Sequence, residues 1–216
     1  MSLPVRLLPC LAVAAALAGC TKEGDLVVAE GVGITAVRSA CPAVGIPDYT
    51  GSVTTFRDPA SKTADNIDVV ASMTNLRSTC DESGARVYTN ATFEVQARRS
   101  DTRGARRVEL PYFVTVLRGG SSVVTKRIGT VVLDFADGRD RAEASGQAGA
   151  FVDRAEATLP ADVRERITRK RKPGDPDAAL DPLTIPEVRD AVNRASFELL
   201  VGFQLSESQL AFNATR

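Results

Sequence analysis

Apolar and polar residues exchange places with a period of two along much of this chain, and that pattern predicts strands. Ile67, Val69, Ala71 and Met73 alternate with Asp68, Val70, Ser72 and Thr74. Val87, Thr89, Ala91, Phe93 and Val95 alternate with Tyr88, Asn90, Thr92, Glu94 and Gln96, as a half-buried strand requires. Asp81-Glu82-Ser83-Gly84 between them reads as a turn. Residues 108–117 read as a third strand, returned by the hairpin turn Arg118-Gly119-Gly120-Ser121, because glycine reaches positive φ without a Cβ clash. Residues 123–135 form the returning strand, with Gly129 expected as a bulge. In residues 141–152 the alternating apolar side chains are small (Ala142, Ala144, Ala148, Ala150), which predicts a strand against a crowded neighbour.

The last third changes period. Residues 160–170 read as a helix, with Pro160 in the first turn and Val163 and Ile167 on one face. The breaker Lys172-Pro173-Gly174-Asp175-Pro176-Asp177 ends it. Thr184-Ile185-Pro186-Glu187 matches a capping box for a helix to about Ala195, with Val188, Ala191, Val192 and Ala195 inward. Phe197, Leu199, Val201, Phe203 and Leu205 then alternate strictly, and residues 206–213 suit a short terminal helix. The expected fold is mainly β: an antiparallel immunoglobulin-like β-sandwich with a C-terminal helical excursion before the last strand, a barrel being the alternative.

The N-terminus has another pattern. One positive charge, Arg6, precedes an uncharged apolar run over residues 7–18 that is too short to span a bilayer as a mature helix. It ends in Leu17-Ala18-Gly19-Cys20, which resembles the lipobox of bacterial lipoproteins. The resemblance implies diacylglycerol transfer to the Cys20 sulfur, cleavage after Gly19 and acylation of the new amine. An ordinary secretory signal that happens to end before a cysteine is the other reading. Residues 1–19 are then a signal peptide, 20–33 a lipidated cysteine and its tether, and 34–216 a single β-rich globular domain. Two or three acyl chains make a stable anchor at about 0.8 kcal/mol per buried CH₂. Thr21 rather than Asp after the anchor points to the outer membrane, facing the periplasm.

Composition narrows what is exported. Removing residues 1–19 from 216 leaves 197, and the only charge lost is Arg6, leaving 26 basic against 27 acidic side chains. That balance predicts no nucleic-acid partner. Cys10 leaves with the signal and Cys20 takes the lipid, so Cys41 and Cys80 remain to form a disulfide in an oxidising envelope, or to stay as two buried thiols. Closing that loop of about 40 residues is worth about 4 kcal/mol in the chain-entropy treatment. No metal is expected, because two thiols without histidine leave a coordination sphere half empty.

The chain contains no histidine. Ser-His-Asp and Cys-His catalysis, HExxH metalloproteases and ordinary zinc sites all need that imidazole. No lysine lies in an S-x-x-K spacing, and G-x-G-x-x-G, Walker A and C-x-x-C motifs are absent, so no cofactor and no catalytic residue are expected. A carboxylate pair stays open.

The densest chemical signal is basic. Arg164, Arg166, Arg169, Lys170, Arg171 and Lys172 fall within nine residues and are the candidate anion-binding group. Arginine suits phospholipid headgroups and lipopolysaccharide phosphates through bidentate bonding. The competing reading is a solvated helix face, partly neutralised by Asp175, Asp177 and Asp181. A second basic group, Arg98, Arg99, Arg103, Arg106 and Arg107, is broken by Asp101 and reads as a turn. Asp134, Asp137 and Asp140 match no EF-hand spacing. Residues 49–56 and 149–151 carry apolar side chains that suit partner surface, core or turn.

The lipobox, with GIPDYTGSVTTF (45–56), LPYFVTVLRGG (110–120) and RAEATLPADVRERITRKRK (154–172), resembles envelope lipoproteins of alphaproteobacteria over most of the mature chain. The resemblance implies a location and no chemistry, and carries over only Cys20 and its lipobox. The expected protein is a membrane-anchored, non-catalytic binding or structural module. Its partner is an anionic lipid, lipopolysaccharide or envelope protein; a carboxylate-based hydrolase of envelope polysaccharide is the alternative.

Overall fold

Period-two patterning becomes strands wherever one face can be buried, and the computed structural model, which describes residues 38–215, has eight of them. They are β1 (Ala43–Gly45), β2 (Ser52–Phe56), β3 (Ile67–Asp81), β4 (Arg86–Arg99), β5 (Arg106–Arg118), β6 (Ser122–Phe135), β7 (Arg141–Asp153) and β8 (Phe197–Phe203). The expected signal peptide, the expected lipidation site Cys20 and the expected tether lie outside the described residues. Two four-stranded sheets form, in the orders β1-β8-β5-β6 and β2-β3-β4-β7, and every pairing is antiparallel except β1 with β8. The inward residues of both sheets make one core, including Val69, Ala91, Phe93, Leu133, Phe135, Val201 and Phe203. This is the expected immunoglobulin-like β-sandwich. Two separate sheets, each with two edges, take the place of the closed barrel.

Among the described residues, 38–169 and 180–215 make one compact unit, which holds all eight strands, and 170–179 belongs to a second. Between β7 and β8 come α1 (Arg154–Ala157), α2 (Ala161–Thr168) and α3 (Pro186–Ala195); α4 (Glu207–Ala214) follows β8. Val163 and Ile167 of α2 pack with Val188, Ala191 and Val192 of α3 and with Leu159 in a second, smaller core. That gives two short amphipathic helices a place to bury their apolar stripes. Cys41 and Cys80 are joined, with Cα atoms 6.1 Å apart. Among the described residues no helix is long and apolar enough to cross a membrane.

Several local expectations fail for physical reasons. Gly129 is no bulge: it pairs in register with Tyr112, and a Cβ there would lie 2.5 Å from the tyrosine ring. Its role is to admit that ring, as Gly146 admits its cross-strand partner Phe93. The β5–β6 irregularity falls instead at Val116/Leu117. The capping box at Thr184–Glu187 does not form. Asp181 caps a 3₁₀ turn over Pro182–Thr184, and α3 starts at Pro186 with no side-chain cap. A capping box does form at α4, between Ser206 and Gln209. β1, β2 and α1 carry no clear period. β3 runs past its expected end because Asn75 takes a positive φ of 51° and the register recovers at Arg77. Pro111 is tolerated within β5 because its carbonyl faces β8 at the margin of that ladder, where Gln204 donates to it.

Candidate anion-binding site

The six-residue basic run does not form one exposed face. α2 ends at Thr168, so only Arg164 and Arg166 ride on it, and Arg169 is its C-cap, donating its N–H to the Glu165 carbonyl. Lys170 and Lys172 are exposed beyond the helix. Arg171 is 3% exposed, and its Nε donates to Asp177 Oδ2 at 3.2 Å. The Lys172 N–H donates to Asp175 Oδ2. The expectation that all six share a surface is corrected for Arg171, because a buried guanidinium needs a carboxylate and Asp177 supplies one.

Arg164 belongs to a different arrangement. It lines a recess of about 270 Å³ together with Arg38, Arg154 and Glu82, and Leu159 and Ile167 contribute to its wall. Four stretches of chain converge there: the segment before β1, the β3–β4 turn, the start of α1, and α2. The disulfide holds the first two together, since Cys41 follows Arg38–Ala40 and Cys80 precedes Glu82. Glu82 Oε2 accepts from Ser39 Oγ at 3.0 Å and from the Ala40 N–H at 3.1 Å. Arg38 Nη2 donates to Ser196 Oγ at 2.6 Å. Arg154 is fixed by its own N–H, which donates to the Ala85 carbonyl at 3.0 Å.

Three guanidinium groups thus meet one carboxylate, and that carboxylate is occupied by a hydroxyl and an amide. The Arg164 guanidinium has no hydrogen-bond or ion-pair partner among the described residues. A recess with surplus cationic donors and an apolar wall can hold an anionic oxygen group. A shallower recess lined by Ala85, Leu159 and Pro160 shares Arg154 and adjoins it with mostly apolar surface.

The second basic group is spent internally. Arg98 pairs with Asp140 at 3.0 Å and Arg103 with Asp101 at 2.7 Å. Arg106 makes a two-pronged contact with Asp68 at 2.6 and 2.7 Å, and Arg107 a similar one with Asp134 at 2.8 and 3.2 Å. Hydrogen bonds from these arginines hold the Asp68, Asp101 and Asp134 carboxyls below the usual carboxylate range. Arg99, 2% exposed, donates to the carbonyls of Thr102, Gly104, Ala136 and Arg139, and its guanidinium lies 5.3 Å from the centre of the Phe135 ring. The turn reading of this segment is correct. Asp137 accepts from the Gly104 N–H, so each aspartate of the 134–140 trio has a protein partner. Among the described residues no three acidic, cysteine or histidine side chains group as metal ligands would.

Comparison with protein-family models, with curated proteins and with solved structures yields no match. Fold and site therefore define a class only: a disulfide-clamped β-sandwich with an arginine-lined recess at one end.

Proposed function

We propose that this protein is a bacterial envelope lipoprotein, anchored through Cys20 to the outer membrane and facing the periplasm. In this reading it is a non-catalytic module whose Arg38–Arg154–Arg164 recess binds an anionic oxygen group of an envelope component, a phospholipid headgroup or a lipopolysaccharide phosphate. The observation that carries it is the surplus of guanidinium over carboxylate in one recess, where the Arg164 guanidinium has no partner among the described residues. Each basic residue near an anionic surface contributes on the order of 1 kcal/mol. The lipid anchor raises the local concentration of such a surface, so a weak contact suffices. A carboxylate-pair hydrolase is less well supported. Each of the four described recesses has at most one carboxylate in its lining, and hydrolysis of a glycosidic bond uses two.

The test separates anchor from recess. Cys20→Ser should abolish acyl labelling and detergent-phase partitioning; unchanged partitioning removes the anchor. The unacylated Cys20→Ser protein should bind phosphatidylglycerol vesicles or lipopolysaccharide at low salt and release them as salt rises. Arg154→Gln with Arg164→Gln should weaken that binding by roughly ten-fold or more. Comparing the two ligands names the source of the anionic group. No binding to either at low salt overturns the recess.

A further inference from the structure

The outer face of the β4–β7 pair carries a different chemistry from the arginine recess. On this face β7 presents Ser145, Gln147 and Gly149 before Phe151, while Gly146, Ala148 and Ala150 face inward. Its free edge is closed by side chains from the other sheet. Tyr112 Oη donates to the Gln147 carbonyl at 2.9 Å, and Arg127 Nη2 donates to the Gly149 carbonyl two residues on. Tyr88 and Phe151 are cross-strand partners on the outer face, with ring centres 4.6 Å apart and planes tilted by 35°. They remain 38% and 55% exposed, and the Arg86 guanidinium lies 4.6 Å from the centre of the Phe151 ring.

The Tyr88 ring lies over Gly149, where no side chain stands in its way. A Cβ on Gly149 would lie 2.9 Å from the Tyr88 hydroxyl. A recess of about 270 Å³ opens there, close to the lower bound of about 300 Å³ for small-ligand sites. It meets a second of about 570 Å³, reaching Thr92, Glu94 and Ser145, through shared Tyr112 and Gln147. The stretch from Ser145 to Phe151 spans roughly 20 Å at about 3.3 Å per residue. The amides of Asn90 and Gln147 and the Tyr88 phenol have no hydrogen-bond partner among the described residues.

Exposed rings and uncommitted neutral donors and acceptors ask for one kind of ligand. It needs flat C–H faces to lie on aromatic rings and hydroxyls to take amide hydrogen bonds. It carries no net charge: Arg127 already serves the Gly149 carbonyl, Arg86 lies against the Phe151 ring, and Glu94 at the far end sets a carboxylate against them. An apolar peptide would leave the amides unpaired, and a phosphate surface would find no free cluster of cations on this face among the described residues. We propose that this face binds a neutral oligosaccharide, with Tyr88 and Phe151 stacking on sugar rings and Asn90 and Gln147 bonding their hydroxyls. This goes beyond the anionic recess and does not depend on it.

The experiment is titration of the full chain, in a detergent without a sugar headgroup, with neutral oligosaccharides. The probes are a hexamer of β-1,4-linked N-acetylglucosamine, maltohexaose and cellohexaose, followed by calorimetry and amide NMR. At least one should bind and shift the signals of Gln147, Gly149 and Phe151. Phe151→Ala and Tyr88→Ala should each lower affinity about ten-fold or more, Phe151→Tyr should restore it, and Arg164→Gln should leave it unchanged. Because an aromatic-to-alanine change in a strand can disturb folding, Gly149→Ala supplies the second variant: its Cβ crowds the Tyr88 hydroxyl and shifts that ring without removing either aromatic side chain. Binding that survives Phe151→Ala and Gly149→Ala overturns the assignment. So does the absence of any shift at about 10 mM of every probe, or capture of an apolar peptide by this face in their place.

Discussion

At one end of the sandwich, five arginines between Arg98 and Arg107 hold the loops together and are consumed in doing so. At the other, a disulfide does the holding, and three arginines keep their charge. Both ends look basic in the sequence. They differ in what surrounds the charge: aspartates and loop carbonyls at the first, one occupied carboxylate at the second. Arginine is available for a ligand where another bond has taken over its structural task.

The comparison can be tested most severely at the disulfide. Removing it with Cys41→Ser and Cys80→Ser should cost about 4 kcal/mol in denaturant unfolding. It should also weaken anion binding, because Arg38 and Glu82 lose their common clamp. Undiminished binding would show that the recess is held by other means. The matching experiment at the opposite end is Arg99→Met, which takes one donor from each of four loop carbonyls, those of Thr102 and Ala136 keeping the Gly138 and Arg139 N–H. A loss of about 3 kcal/mol is expected, with anion binding by the folded protein unchanged.

Smaller effects sharpen the contrast. Glu82→Gln removes the only carboxylate of the recess and keeps an acceptor for Ser39. Vesicle binding should tighten a few-fold while stability moves by about 0.5 kcal/mol or less. The smallest effect is on pH dependence at the paired end. Arg106 holds the folded-state pKa of Asp68 below its unfolded value, near 3.9. The stabilisation is therefore fully present above about pH 4 and is lost as pH falls through the folded pKa. Asp68→Asn should remove that acid-limb loss, about 1 kcal/mol for a solvent-accessible pair. A stability profile unchanged by the substitution would take Asp68 out of the clamp.

Most of the sandwich was legible because its strands repeat a two-residue period over about eight to twelve positions. β1 and β2 were not, being three and five residues long with no stretch on which a period can show. The basic run misled for a related reason: linear charge density records neither where a helix stops nor which arginine finds an aspartate. Arg164 was visible as a candidate; Arg38, Arg154 and Glu82 were not. One signal for two of them was present. Expecting Cys41 to join Cys80 already places residues 38–40 beside residue 82. Arg154 left no trace, since only the β4–β7 register brings it to that corner.

The crosslink also has a mechanical consequence. Residues 42–79 lie inside the loop that Cys41 and Cys80 close, and that loop contains β1, β2 and β3 as far as Thr79. Tension entering from the N-terminal side crosses from Cys41 to Cys80 through the sulfurs and bypasses everything between. The three-residue parallel ladder of β1 on β8, the weakest pairing in the sheets, therefore carries none of the pull along its own backbone. A stretched chain would yield outside the loop, in the strands that follow Cys80, and residues 42–79 would extend only after a reductant opened the crosslink.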